Sequence, residues 1–127
     1  MDDGLIVAVT GGRNYADHRH VWDALDRLHA KSAIRLIVHG AASGADTLAA
    51  EWAAARGVEA QAFPVTRGDW DRLGRGAGPE RNRRMLAWSK PDGLVAFPGG
   101  TGTRDCIAAA ESRGIKVWRP TRYPVGT

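Results

Sequence analysis

Apolar residues in this chain fall in short continuous runs separated by glycine-rich polar segments. The first run, Leu5-Ile6-Val7-Ala8-Val9-Thr10, stops at Gly11-Gly12. A run of about four to eight apolar residues suits a strand buried on both faces, as in a parallel sheet. Beyond it Val21, Leu25 and Leu28 stand at i, i+4 and i+7, one face of a helix whose other side carries Asp23, Asp26 and Arg27. The alternation then repeats. Residues 34–38 read as a strand, and residues 43–56 as a helix with Leu48, Trp52 and Ala55 inward and Gly57 as its left-handed end. Residues 58–63 read as a weaker third strand.

The polar stretch 64–78, with four glycines and three arginines, reads as a long loop of the kind that forms lids or binding loops. Helix resumes at Pro79, suited to a first helical position, and runs to about residue 89. A fourth strand is predicted over 93–97, a helix over 101–113 ending at Gly114, and a last strand over 115–118. Five strands alternating with four helices predict an α/β fold, a three-layer Rossmann-like doubly wound parallel sheet in order 3-2-1-4-5. The whole of 1–127 reads as one domain with its core at about 5–118 and a tail, 119–127, that frays. In that order the topological switch point lies between the first and fourth strands, where ligands bind beyond the carboxyl ends. Ten of the 16 glycines follow strands one to four and should collect on that rim.

Composition narrows the function classes. The 18 basic residues, 15 of them arginine, exceed the 14 acids by only four, a lean towards phosphate partners without a dense basic stripe. A lone Cys106 excludes a disulfide framework and a cysteine-rich zinc site. The apolar runs are far too short for a membrane span, and the acidic start lacks the basic region of a secretory signal, so a cytoplasmic protein without membrane association is expected. His18 and His20 have no acidic or cysteine partner in a metal-ligand pattern, and no metal or cofactor is expected. The P-loop, the dinucleotide fingerprint and the serine-hydrolase elbow are all missing.

Four segments carry candidate chemistry. Pro98-Gly99-Gly100-Thr101-Gly102-Thr103 follows a strand and opens a helix, so bare backbone amides, a helix N-terminus and two hydroxyls converge where a phosphate would rest. Gly11 and Gly12 let a ligand lie against backbone while Arg13 grips an anion. In His39-Gly40-Ala41-Ala42-Ser43-Gly44-Ala45-Asp46, Ser43 and Asp46 have capping-box spacing. Asp46 is also placed to accept from a ribose or to act as a base, with Gly40 and Gly44 beside it. Arg81, Arg83 and Arg84 crowd the start of a helix, where cations oppose the dipole and an anion would relieve them; Arg81, Asn82 and Arg84 are expected to face the cleft. Trp70 either stacks on a base or anchors its loop, and Trp22, Trp52, Trp88 and Trp118 are read as packing.

Together these segments resemble the SLOG superfamily, which includes the cytokinin-activating LOG proteins and the DprA/Smf DNA-processing proteins, and in particular its small bacterial and phage-borne YspA/cpYpsA-related branch. The resemblance implies a nucleotide-derived ligand with its phosphate on Gly99 to Thr103, and a homodimer. LOG enzymes hydrolyse the N-glycosidic bond of a nucleoside 5′-monophosphate, using an arginine that matches Arg81 and a glutamate that closes P-G-G-x-G-T-x-x-E. Cys106 occupies the glutamate position, and a thiol cannot replace that carboxylate. Asp105 or Asp46 would have to substitute. The expected activity is therefore nucleotide binding, as a sensor or a weak phosphoribohydrolase with Arg81, Asp105 and Asp46 as catalytic candidates. Single-stranded DNA binding of the DprA type is the alternative.

Overall fold

The computed structural model describes residues 4–121. Its elements in chain order are β1 (Leu5–Thr10), α1 (His18–Lys31), β2 (Ile34–His39), α2 (Ala45–Arg56), β3 (Glu59–Ala62), α3 (Arg67–Leu73), α4 (Ala77–Ser89), β4 (Gly93–Ala96), α5 (Thr101–Ser112) and β5 (Lys116–Trp118), with one 3-10 turn at Gly74–Gly76 before α4. The strands form one sheet in the order β3-β2-β1-β4-β5, and every pairing is parallel. The expected α/β doubly wound topology is the one observed.

Strand residues alternate between two cores. Val7, Val9, Ile37 and Val95 point to the side covered by α1 and α2, where they meet Val21, Leu25, Ala49 and Trp52. Ala8, Val38 and Leu94 point to the other side, against Met85 and Leu86 of α4 and Cys106 and Ala110 of α5. Both faces of the central strands are thus dry, which is why they read as unbroken apolar runs. The edge strand β3 is exposed at every position, the reason its pattern was weak.

Several local expectations are corrected. Segment 64–78 is mostly helical: Thr66 caps α3 through a capping box in which its Oγ1 accepts from the Asp69 amide at 3.1 Å and the Asp69 carboxylate accepts from the Thr66 amide at 3.0 Å. That pair supplies the two terminal hydrogen bonds a short helix lacks, outweighing its glycines. Trp70 lies on α3, 44% exposed. Helix α4 begins at Ala77, two residues before Pro79, whose missing N–H is harmless within a first turn. In α2 Trp52 faces inward with Ala45, Ala49 and Ala53, and Leu48 is half-buried against the same core, while Ala55 is exposed. Asp26 turns towards α2 instead of solvent, accepting from Trp52 Nε1 at 2.8 Å and from Arg56. Trp88 is 63% exposed beside Phe63, and Trp118 is 37% exposed with Arg27 over its ring, so neither is a core residue.

Of the tail, Pro120 is buried and the Thr121 carbonyl accepts from Arg27, so these residues lie against the body; the expected fraying of 122–127 falls outside the described residues. Among the described residues no helix is long and apolar enough to cross a membrane.

Candidate functional site

A cavity of about 270 Å³ opens at the carboxyl ends of the strands, over the junction of β1 and β4. Four chain segments wall it. The turn after β1 contributes Thr10, Gly11, Gly12 and Arg13; the loop after β2 contributes Gly40 and Ala42, with Asp46 from the first turn of α2; α4 gives Gly78, Pro79, Arg81 and Asn82; and the start of α5 gives Gly100, Thr101, Gly102 and Thr103. The cavity therefore stands at the topological switch point of the sheet.

The first and last of these turns are stitched together. Gly12 donates to the Pro98 carbonyl at 2.8 Å, and the Gly12 carbonyl accepts from the amides of Tyr15 and Ala45. Two glycines make the contact possible. A β-carbon on Gly99 would fall 2.1 Å from Thr103 Oγ1, and one on Gly44, whose φ is +77°, would fall 2.1 Å from the Gly12 oxygen. Neither glycine lines the cavity; both hold its walls in place. At Gly100 and Gly102 an added β-carbon would meet only open space. No side chain caps α5, so its first amides point outward unpaired and bring the positive end of the helix dipole to the cavity.

Charged groups sit on the opposite side. Asp46 is 5% exposed, and its Oδ2 accepts from the amides of Gly40 and Ala42 at 3.0 and 3.2 Å. Those amides are turned inward by Ala41, held at a φ of 59°, while the Ala41 amide donates to His39 Nδ1. Burial pushes the Asp46 carboxyl up to about 6, against partial opposition from the two amides and then from Arg81 and Arg13. The same burial, followed by Arg81, pulls the His39 pKa down.

Arg81 crosses from α4 to the sheet, where Nη1 donates to the carbonyls of Gly40 and, at 3.1 Å, Phe63. Its Nε donates to Asn82 Oδ1 at 3.1 Å, and Asn82 Nδ2 in turn donates to Asp105 at 3.0 Å. Burial depresses the Arg81 pKa, with Asp46 acting against it. Arg13 is exposed at the mouth.

Of the sequence candidates, the cavity wall gathers Gly11, Gly12, Arg13, Gly40, Asp46, Arg81, Asn82, Gly100, Thr101, Gly102 and Thr103. Five stand off it. Ser43 and Asp46 form no capping box: Ser43 Oγ donates to the Arg13 carbonyl, and Gly44 is the N-cap. Gly44 and Gly99 lie behind the wall as described. Arg84 pairs with Glu80 at 2.7 Å and approaches Asp69 at 3.9 Å, because Glu80 stands one helical turn before it. Asp105 accepts from Asn82 and lines a separate depression between α4 and α5 with Arg83. The reading from sequence missed Thr10, Ala42, Gly78 and Pro79 as wall residues; the polar end of an apolar run marked Thr10, and a Gly-Pro pair at a helix start marked the last two. Cys106 is 1% exposed beneath the site, hydrogen-bonded to Thr10, with burial pushing its thiol up to about 11. His18 stacks on Trp22 and His20 bonds Tyr15, and no group of described residues could hold a metal ion.

The sequence profile of the YspA, cpYpsA-related SLOG family matches residues 5–72, more than half of the chain. This chain belongs to that family. The SLOG chain is also 42% identical over 118 residues to the Gene 61 protein of Mycobacterium phage D29, an alignment spanning 87% of this chain and 92% of that protein. Among solved structures it is similar to DNA processing protein A of Helicobacter pylori, with a TM-score of 0.71 and 20% identity over 96% of this chain and 68% of the other. DNA processing protein A of Streptococcus pneumoniae gives 0.56 and 19%, over 91% and 58%. At these identities the likeness to both is one of fold, and the SLOG chain spans about two thirds or less of their lengths. The Helicobacter protein is described as binding single-stranded DNA.

Proposed function

We propose that this SLOG domain binds a small nucleotide-type ligand through its phosphate at Gly100 to Thr103. The observation that carries the reading is the uncapped N-terminus of α5 opening, past two glycines where an added β-carbon would meet only open space, into the same cavity as Arg13 and the buried Asp46. Helix amides and a bidentate guanidinium are a common pairing for phosphate. Arg81 adds positive charge from the floor although its Nη1 is engaged with backbone.

Binding is favoured over hydrolysis. Among the described residues Asp46 is the one carboxylate on the cavity wall, Asp105 being tied to Asn82 and turned to another depression. A glycosidic cleavage that uses two carboxyl groups has no second one to draw on here. Isothermal titration with AMP and ADP-ribose tests the reading: binding by the parent chain and its loss in Gly100→Asp is the expected pair of results. Equal affinity in both proteins would remove the phosphate from this turn. Incubation with AMP followed by chromatography for free adenine tests for turnover.

A second reading is single-stranded DNA binding, favoured by the fold shared with the Helicobacter protein and by exposed Arg67, Arg75 and Arg83 along α3, α4 and the turn between them. It predicts oligonucleotide binding whose log affinity falls steeply with log salt. A response that is flat between low and moderate salt would dismiss it.

A further inference from the structure

The proposed ligand site contains one group whose hydrogen bonding is unfinished. Asp46 forms part of the cavity wall, is 5% exposed, and uses Oδ2 for two backbone amides. Its Oδ1 is buried and has no hydrogen-bond partner in the protein. The Arg81 guanidinium does not supply one: Nη1 goes to the Gly40 and Phe63 carbonyls, Nε goes to Asn82, and Nη2 makes no hydrogen bond to Oδ1. Asn82 Nδ2 is spent on Asp105 and the Gly102 carbonyl, and its Oδ1 already accepts from Arg81. Of the two side chains placed to touch a sugar, Asp46 alone has a buried polar atom without a partner, and its ionised carboxylate is an acceptor only. A buried acceptor without a donor is a costly arrangement, and a folded protein keeps one where something else completes it.

What completes it must bring an O–H or N–H. A phosphate oxygen does the opposite, since two anions would face each other. Resting on the phosphate reading above, we propose that Asp46 Oδ1 takes the sugar hydroxyls of the ligand, so that the site selects a ribonucleotide with free 2′ and 3′ hydroxyls. The phosphate turn and Asp46 share one small cavity, and a nucleoside 5′-phosphate carries both complementary groups on a single furanose ring. An internal nucleotide of a DNA strand has no hydroxyl on its sugar at all: the 2′ oxygen is missing and the 3′ oxygen is esterified. The same carboxylate that accepts a free ribonucleotide therefore leaves its burial uncompensated when offered DNA. The competing donors are the exocyclic amines of the bases, which a sugar phosphate without a base separates.

Calorimetric titration of the full chain with AMP, 2′,3′-dideoxy-AMP, ribose 5-phosphate and inorganic phosphate tests this. AMP is expected to bind about 10- to 100-fold more tightly than its dideoxy analogue, the loss that follows when a site built for a hydroxyl meets a ligand without one. Ribose 5-phosphate should bind more tightly than inorganic phosphate. In Asp46→Asn the ratio of AMP to dideoxy-AMP affinity should shrink to about threefold, since a neutral amide makes a weaker hydrogen bond than a carboxylate. The comparison of ligands on the unaltered protein stands whether or not that variant folds. Equal affinities for AMP and dideoxy-AMP, with inorganic phosphate still bound, would overturn the proposal and leave the phosphate reading intact. Ribose 5-phosphate binding no better than phosphate would assign Oδ1 to a base amine and overturn it as well. Absence of binding by all four would sink both readings together.

Discussion

Gly44 stands against Gly12 so closely that a β-carbon on Gly44 would lie 2.1 Å from the Gly12 carbonyl oxygen. That carbonyl also receives the Ala45 amide at 3.2 Å, so the start of α2 is fastened to the turn after β1 by a backbone bond, with Ser43 Oγ donating to the Arg13 carbonyl beside it. Gly44→Ala must break this contact while also forcing a side chain into φ +77°. A destabilisation of about 3 kcal/mol or more is expected in urea unfolding. Gly100→Ala, pointing into open space, should stay within roughly 1 kcal/mol of the parent and act on ligand affinity instead. Similar stability losses in both would show that the two glycines are not doing different jobs.

Asp46 gives a pH signature of defined sign. Its folded pKa is raised from 3.8 to about 6 by burial, so between those values the folded chain holds a proton that the unfolded chain has released. Stability from this group is consequently highest below about pH 4 and declines as the pH rises through 6, by about 3 kcal/mol in full. Asp46→Asn does not titrate. Its stability relative to the parent should climb from pH 4 to about 6.5 and then level off; a difference that is constant across that range would show that burial is not acting on this carboxyl.

Asp26 holds the indole of Trp52, which is 0% exposed, at 2.8 Å and pairs with Arg56 at 2.9 Å. The ion pair is well exposed and contributes little, whereas the indole N–H has no other acceptor once Asp26 is gone. Asp26→Ala should therefore cost about 1–2 kcal/mol and Arg56→Ala clearly less. Thermal melts of the two variants decide it, and equal losses would shift the weight to the ion pair.

Arg81 does structural as well as electrostatic work, because its Nη1 serves the carbonyls that end β2 and β3. A lysine ammonium lacks the planar fork that meets two carbonyls and Asn82 at once. Arg81→Lys is expected to lower the melting temperature by roughly 3–8 °C, about 1–2 kcal/mol for a chain of this length. An unchanged melting temperature would show those carbonyls are satisfied without it.

The sheet order, the switch point and the glycine-bearing turns after β1, β2 and β4 were legible because each rests on local patterning: apolar runs dry on both faces, and turns where backbone must pass close to backbone. What escaped depended on side chains meeting across sequence. Thr66 and Asp69 did carry a helix signal, yet Gly68, Gly74 and Gly76 outweighed it in a reading by composition. Arg84 shares a helix face with Arg81, but Glu80 four residues earlier had already claimed it. Asp46 stands on the cavity wall, yet its local partner is not Ser43. Its bonds run to Gly40 and Ala42 through a left-handed Ala41, a conformation that alanine does not advertise.

Cys106, the chain's single cysteine, lies sealed under this site at 1% exposure with its thiol pushed up to about 11. A thiol reagent in neutral solution meets neither an accessible sulfur nor an appreciable fraction of thiolate. Its reaction must wait for α5 to lift from β1, which makes the rate of labelling a built-in clock for the breathing of the cavity floor. A molecule seated above would slow that clock, and its occupancy would be readable without any change being made to the protein.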